Sequence, residues 1–478
     1  MSQAVAQART VGSSLFSSDA VKKAVDTIVD EVAAASAKLT GVRGPIEGLE
    51  QPYEDSLKKL GEQRGRPLYY PYVGSGAGNG FYVELADGSV KIDMVGGIGY
   101  TPLGHAHPEL IRAAVTASME DNLKHGHLQA TGALFEFSDK LLTLAQRKSK
   151  LAHIFVSAGG ALANENAIKI CYQKHAPASR VIAFSHCFMG RTVTMAQIGD
   201  AAGNRQGVPL STQVDYMDFW NAAEADRVGQ QAHIDAACRK LQEYIDRYPR
   251  QHACFIFELV QGEGGFVTAP REYFVALMEL CRKNSIAVWA DEIQSFNRTT
   301  ELFAFEMLDL GEYIDVLTVG KATQACATLY TADYNPKPSL LSGTFTGATP
   351  EFAVGKRVLE ILEASDLYGP GGMAAKHHKA FRDQVGALKA KHRDWFPDLP
   401  CGIAGGVGGM MRFTPFGGDK EKVGKATKVL FEEGLVTFYN GHGPYHIRFL
   451  PPLAVMSLED WPTVFEVVER GLARVAAG

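Results

Sequence analysis

From about residue 109 onward, short apolar runs alternate with longer stretches of helical periodicity. This alternation constrains the fold more than any other feature of the 478-residue chain. The runs that read as strands are His153–Val156, Val181–Phe184, Cys254–Leu259, Ile286–Ala290 and Val316–Val319. Each leads into glycine or polar residues rather than a tight hairpin. Strands separated by helices must be joined by crossovers, so the spacing predicts an α/β chain with a mainly parallel sheet and helices on both faces. In such an open sheet, ligands collect beyond the carboxyl ends of the strands.

The flanking regions follow other patterns. Residues 19–39 carry Val21, Val25, Ile28, Val29 and Val32 at helical spacing, with Ser18 or Asp19 as the cap. The first eighteen residues hold Arg9 and several serines but no acid, and read as a frayed polar tail. Between Tyr69 and Val95 the period changes to two. There, Phe81–Leu85 and Val90–Met94 flank Asp87-Gly88, which is a hairpin signal. After Phe345 come a long helix (Glu351–Glu363), a Gly-Pro-Gly-Gly break at 369–372, a further helix, and Gly-rich strands from 402. The expected division is an N-terminal helical extension (1–65), the first part of a small domain (66–108), a large domain (109–345) and the C-terminal small domain (346–478).

Several function classes are disfavoured. Lys plus Arg is 48 and Asp plus Glu is 53, a net charge of −5, which gives no electrostatic footprint for nucleic acid or anionic lipid. No apolar run approaches the ~18 residues of a membrane span. Seven scattered cysteines without a C-x-x-C pair suggest reduced thiols and a cytoplasmic protein. Gly74–Gly80 and Gly405–Gly409 miss the dinucleotide-binding spacing, and the first is expected to precede a strand. His105-Ala106-His107 and His125-Gly126-His127 have no acidic or cysteine ligand set beside them, so a structural role and no metal are expected.

The strand ends carry the chemistry. The run His153–Val156 enters Ser157-Ala158-Gly159-Gly160-Ala161, with a helix expected to begin near Asn164. Free N–H groups of such a loop and helix start suit a phosphate. The run Ile286–Ala290 ends in Asp291-Glu292-Ile293-Gln294, and Val316–Val319 ends in Gly320-Lys321. An acid or amine directly behind an apolar strand is costly to bury without a partner. These two lie on successive strands. A lysine that loses its proton forms a Schiff base with an aldehyde. Pyridoxal phosphate requires that amine, a carboxylate for its ring nitrogen and an anion site for its phosphate.

From Tyr69 to the C-terminus the sequence resembles the class III aminotransferases of pyridoxal-phosphate fold type I, which include the ornithine, acetylornithine, 4-aminobutyrate and lysine ε-aminotransferases. The segments that carry the resemblance are GHAHPEL (104–110), GGALANENAIK (159–169), FMGRT (188–192), FELVQGEGG (257–265), ADEIQ (290–294), GK (320–321), GTFTG (343–347) and RFLPPL (448–453). The resemblance implies a smaller α+β domain built from both chain ends and pyridoxal 5′-phosphate held covalently by Lys321, which also moves the substrate proton. It implies that Asp291 pairs with the ring nitrogen, Gln294 approaches the ring hydroxyl, and Phe188 stacks on the ring. Gly159, Gly160 and Ala161 would hold the phosphate, with Glu258 a second acid behind the ring. Thr344 would complete the phosphate site of a neighbouring subunit, which implies a homodimer with shared sites. Arg448 and Glu263 match a pair in which the arginine receives a carboxylate and the glutamate masks it, and Arg191 matches an arginine for a second carboxylate. Ile98, Tyr70 and Tyr72 are expected in the substrate pocket.

Two segments depart from the family pattern. The phosphate loop Ala-Gly-Gly-Ala-Leu-Ala-Asn-Glu lacks the usual threonine and leans toward the lysine ε-aminotransferases, and GTFTGATP replaces a Gly-Gly-Asn-Pro. The implied activity is ping-pong transfer of an amino group from an amine or ω-amino acid to a 2-oxo acid, 2-oxoglutarate or pyruvate. A decarboxylase or aminomutase on the same fold is the alternative, and a non-catalytic binding protein a more distant one.

Overall fold

In the computed structural model, residues 10–478 are described. Seventeen strands are present among them: β1 Gly74–Asn79, β2 Tyr82–Leu85, β3 Val90–Asp93, β4 Lys124–His125, β5 Leu151–Ser157, β6 Arg180–Phe184, β7 Gln213–Met217, β8 His252–Phe257, β9 Ala287–Glu292, β10 Val316–Val319, β11 Cys326–Thr331, β12 Gly347–Ala348, β13 Ala404–Val407, β14 Met410–Phe413, β15 Leu435–Val436, β16 Phe438–Asn440 and β17 His446–Phe449. The large sheet has seven strands in the order β5-β11-β10-β9-β8-β6-β7. All run parallel except β11, which is antiparallel to both of its neighbours.

The apolar runs that mark these strands are explained by burial on both faces. Along β6, β8 and β9, residues Ile182, Phe184, Phe255, Phe257, Val288 and Ala290 face one apolar core. The alternating Val181, Ala183, Cys254, Ile256, Ala287 and Trp289 face the other. Period-two geometry sends successive side chains to opposite faces, so a strand buried twice must be apolar throughout. One face is closed by the helix Arg271–Lys283, through Tyr273, Phe274 and Leu277. The helix Gly160–His175 closes the other, through Ala167, Ile170 and Cys171. Each large side chain so buried contributes about 1.5–3 kcal/mol.

The expected hairpin is present as β2 and β3. Its sheet also contains β1 and, parallel to β3, the distant β15, so residues 74–93 and 435–436 share one layer. A second four-stranded antiparallel sheet, β13-β14-β17-β16, carries Arg448. The helix Thr349–Ala364 packs on the helices Pro108–Ala117 and Gly132–Gln146, with Phe352 against Phe137 at a ring distance of 5.6 Å.

Three expectations need correction. Gly74–Gly80 does not simply precede a strand, because Gly74–Asn79 is itself β1. The supposed frayed tail contains the helix Val11–Ser17, capped by the Thr10 side chain accepting the Ser13 N–H at 3.0 Å, while residues 1–9 lie outside the described residues. The helix after β5 begins at Gly160 rather than near Asn164, because Gly159 holds an extended conformation and hands its carbonyl to Ala163 N–H. Among the described residues no helix is long and apolar enough to cross a membrane, and no cluster of three or more His, Cys, Asp or Glu is arranged to hold a metal ion. His105 instead bonds Asp93 at 2.9 Å, and His125 shares Nε2 with Thr349 at 2.9 Å.

Candidate active site

At the carboxyl end of the large sheet, β9 and β10 run side by side with Thr318 in register with Asp291. Strand β9 extends through Glu292, so the two acids are its last residues rather than the start of a loop. Lys321 follows β10 and opens a single tight turn in which Gln324 N–H donates to its carbonyl at 2.8 Å. Lys321 has φ +47°, a left-handed conformation that costs an L-residue about 1–2 kcal/mol. The preceding Gly320 is required sterically, since a Cβ there would fall 2.6 Å from Cys326 Sγ. Burial, with Arg448 adding, lowers the Lys321 pKa to about 8 against the opposing charges of Glu263, Asp291 and Glu258.

Asp291 is buried, and both of its oxygens are engaged. Oδ1 accepts Ile293 N–H at 2.9 Å, and Oδ2 accepts the Asn164 side-chain amide at 2.7 Å. Burial raises its pKa to about 6 against those hydrogen bonds and the charge of Lys321. Glu258 is also buried and accepts two backbone donors, Phe188 N–H at 3.0 Å and Gly262 N–H at 3.1 Å. Burial, with Asp291 adding, pushes it to about 8, so at neutral pH this acid is largely protonated.

These groups face a cavity of about 590 Å³. Of the residues expected at the site, Gly159, Gly160, Ala161, Phe188, Arg191, Glu258, Glu263, Asp291, Gln294 and Lys321 all line it. Glu263 accepts from Arg448 Nη1 at 2.7 Å. The Arg448 side chain is wholly buried, yet its Nε and Nη2 have no partner. Burial works to raise the pKa of Glu263, but Arg448 outweighs it and the net shift is downward. Hydrogen bonds from the Asn440 side-chain Nδ2 to Gly262 O and from Gly441 N–H to Glu263 O, each 2.9 Å, fasten the Glu263 loop. Arg191 is exposed, with its guanidinium 5.6 Å from the Phe188 ring centre.

Five expected residues do not line the cavity: Arg448, which is linked to it through Glu263, and four others. Tyr70 stacks on Phe431 at 4.8 Å and donates to Thr437 O at 2.5 Å, and Tyr72 belongs to the same apolar cluster. Ile98 sits at φ +71° and is 38% exposed, and Tyr100 lines the cavity in its place. Thr344 is exposed, in a loop packed on Gly126, outside the cavity of its own chain. The reading also missed Asn164, Ile293, Tyr100 and Cys326 as lining residues. Of these, Asn164 left a signal, an amide on the apolar face formed by Ala163, Ala167 and Ile170.

One further residue ties the site to its surroundings. Arg298, buried beyond the end of β9, donates to Leu450 O at 3.1 Å, Pro451 O at 2.6 Å and Gly99 O at 3.1 Å.

Residues 70–470 match the sequence profile of the family aminotransferase class-III. The chain is a class-III aminotransferase. It is therefore an enzyme of amino transfer that works with pyridoxal 5′-phosphate. This aminotransferase is 29% identical over 392 residues to the diaminobutyrate–2-oxoglutarate transaminase of Wolinella succinogenes, a match covering 79% of this chain and 86% of that one. It is 28% identical over 422 residues to the succinylornithine transaminase of Yersinia pseudotuberculosis, covering 84% and 91%. In fold it is similar to the lysine aminotransferase from M. tuberculosis in the internal aldimine form, with a TM-score of 0.76 at 22% identity over 88% of this chain and 99% of the other. The ornithine aminotransferase of Toxoplasma gondii gives a TM-score of 0.73 at 21% identity, with 90% and 99% covered.

The residues present fit the cofactor. An amine, a carboxylate and a helix N-terminus converge on one cavity. The buried Gln294 Oε1, which lacks a donor, supplies an acceptor for a ring hydroxyl. At Gly160 a Cβ would stand 2.9 Å from Ile293 Cγ2, so the backbone here approaches the strand-end residues more closely than a larger residue allows.

Proposed function

We propose that the enzyme takes an amino group from an amine or an ω-amino acid and delivers it to a 2-oxo acid, 2-oxoglutarate or pyruvate, in two half-reactions through one site. The observation that carries this reading is the Lys321 amine and the Asp291 carboxylate on the ends of adjacent parallel strands, facing the cavity that the helix start at Gly160 also faces. When bound, pyridoxal phosphate supplies an aldehyde that condenses with amines and a ring that takes up the electrons of a broken Cα–H bond.

The residues divide the remaining work. With its pKa near 8, Lys321 spends an appreciable fraction of its time as the free amine near neutrality, as an attacking group and a proton carrier must. Asp291 presents an anion where the ring nitrogen would lie. The N–H groups of Gly159, Gly160 and Ala161, at the start of a 16-residue helix, would hold the phosphate. Phe188 would cover one ring face, and Gln294 would meet the ring hydroxyl. Glu258 would act behind them, since its carboxyl holds both the Phe188 and the Gly262 backbone.

Arg448 supports the choice of a 2-oxo acid. Its two unpartnered nitrogens offer the planar, two-point recognition that suits a carboxylate. With Glu263 in place the arginine's charge is masked, and a donor chain without a carboxylate meets a nearly neutral wall. Arg191, exposed at the cavity rim, would meet the second carboxylate of a dicarboxylic acid.

A homodimer is part of the same proposal. Leu128 is 93% exposed and Phe345 65%, on segments joined by the β4–β12 pairing; Phe135, nearby in sequence, is 71% exposed. Exposed large side chains on one ledge suit a second copy of the chain, and Thr344 on that ledge would reach the partner's phosphate site. All seven cysteines are free, which supports a reducing, cytoplasmic setting. The layer shared by β3 and β15 supports reading 66–108 and 346–478 as one small domain.

Borohydride reduction of the holoenzyme followed by peptide mapping tests the reading. A pyridoxyl adduct on Lys321, together with turnover of a donor panel against 2-oxoglutarate or pyruvate, is expected. An adduct on a different lysine, or none, overturns it.

A further inference from the structure

We infer that Asn164 is a positioning residue of this site, its single side-chain nitrogen locking the Asp291 carboxylate to the backbone segment that carries Phe188. The inference rests on the reading above, in which Asp291 meets the ring nitrogen and Phe188 the ring face.

Asn164 is 2% exposed and sits one turn into the helix Gly160–His175. Its Nδ2 lies 2.7 Å from Asp291 Oδ2 and 2.8 Å from the carbonyl of Met189, the residue after Phe188. An amide nitrogen has two hydrogens and accepts nothing, so both are spent on these two bonds. Its own Oδ1 is buried without a partner. Flipping the amide would set that oxygen against a carbonyl and a carboxylate, two acceptors, so the orientation is fixed by its neighbours. A buried oxygen without a donor costs about 1–3 kcal/mol. The helix retains a residue that is imperfectly satisfied for stability but well matched to Asp291.

The consequence for Asp291 is electrostatic. Both of its oxygens face groups that only donate, Asn164 Nδ2 and Ile293 N–H, which favours the anion. Lys321 also favours the anion, whereas the acids Glu258 and Glu292 and the thiols Cys187 and Cys326 are held toward their protonated forms by burial. Among the described residues, Asn164 is the one side chain that hydrogen-bonds Asp291. At its other end, the segment 188–192 is pinned at two further points: Glu258 takes Phe188 N–H, and Glu165 takes the Thr192 hydroxyl at 2.6 Å. One amide thereby sets the carboxylate at the ring nitrogen relative to the phenyl on the ring face.

Pyridoxal phosphate labelled with 15N in the ring is loaded into the wild-type, Asn164→Leu and Asn164→Ala holoenzymes. The 15N shift then reports whether the ring nitrogen is protonated. The wild type is expected to show the protonated nitrogen and both variants a shift toward the unprotonated value. With it, kcat should fall about 10- to 100-fold, the loss of one hydrogen bond to a charged group, while KM for the donor stays within about threefold. An unmoved 15N shift in either variant overturns the inference, even where kcat falls. A wild type that binds no cofactor, or binds it with an unprotonated ring, instead overturns the proposed function itself.

Discussion

The inner and outer ends of the cavity are built in different ways. At the inner end, Asp291 is one of the last two residues of β9 and Lys321 stands two residues beyond β10, and backbone N–H groups or a buried amide fix the carboxyl oxygens of Asp291 and Glu258. At the outer end, the Arg448–Glu263 pair joins a strand of the second antiparallel sheet to a loop after β8, and one partner is a third exposed. On the proposed reading, the chemistry would be set by a sheet whose register leaves little freedom, and the choice of substrate by an ion pair between a strand and a loop. Scaffold and specificity can then change separately.

Lys321→Ala tests the inner end most severely. Turnover should fall by about 10²- to 10⁴-fold or more, measured with a saturating donor and 2-oxo acid. Retained turnover would mean that the reaction does not use this amine. Arg448→Ala probes the outer end, and KM for the 2-oxo acid should rise about 10- to 100-fold through loss of a charge-assisted pair. A donor amine without a carboxylate should be affected far less. Equal effects on both would reduce the arginine to a structural role and erase the contrast between the two ends.

The pH behaviour of the inner end follows from the lowered amine. Only the unprotonated amine attacks an aldehyde, so the rate at which the apoprotein takes up pyridoxal phosphate should rise with pH through about 8 and level off above it. A rise that continues toward 10.5 would show that burial does not perturb this group. Tyr70→Phe is the mildest change. It removes one bond to Thr437 O at some distance from the cavity lining, so stability should drop by about 1 kcal/mol in urea unfolding, with kcat unchanged. A large loss of kcat would bring Tyr70 into the pocket after all.

The five strands read from apolar runs are all present, and four of them, β6, β8, β9 and β10, show why: both of their faces are buried and their sequences carry little else. Two strands of the large sheet escaped the reading. In β7, Gln213-Val-Asp-Tyr-Met, the buried Asp215 is matched by Arg180 and His252, a partnership that hydropathy cannot express. In β11, Thr328 is fully buried because its hydroxyl donates to Ala163 O at 2.8 Å. The site divides in the same way. Lys321, Asp291 and the glycine loop could be placed because strand ends point one way, whereas Ile98, Tyr70 and Thr344 depended on the path of loops. A positive φ at Ile98 is enough to turn a side chain away from where its chain neighbours point. Asn164 was named only as a helix start, because its partner lies 127 residues away.

Arg298 has a mechanical consequence. Its guanidinium holds three carbonyls, two after β17 and one in the loop that leads to Tyr100, while its own backbone continues from the Asp291 strand. Hinge opening would have to break these bonds or drag the catalytic strand end along with the two outlying segments. Arg298 therefore works as a tie rod that couples these three stretches of chain.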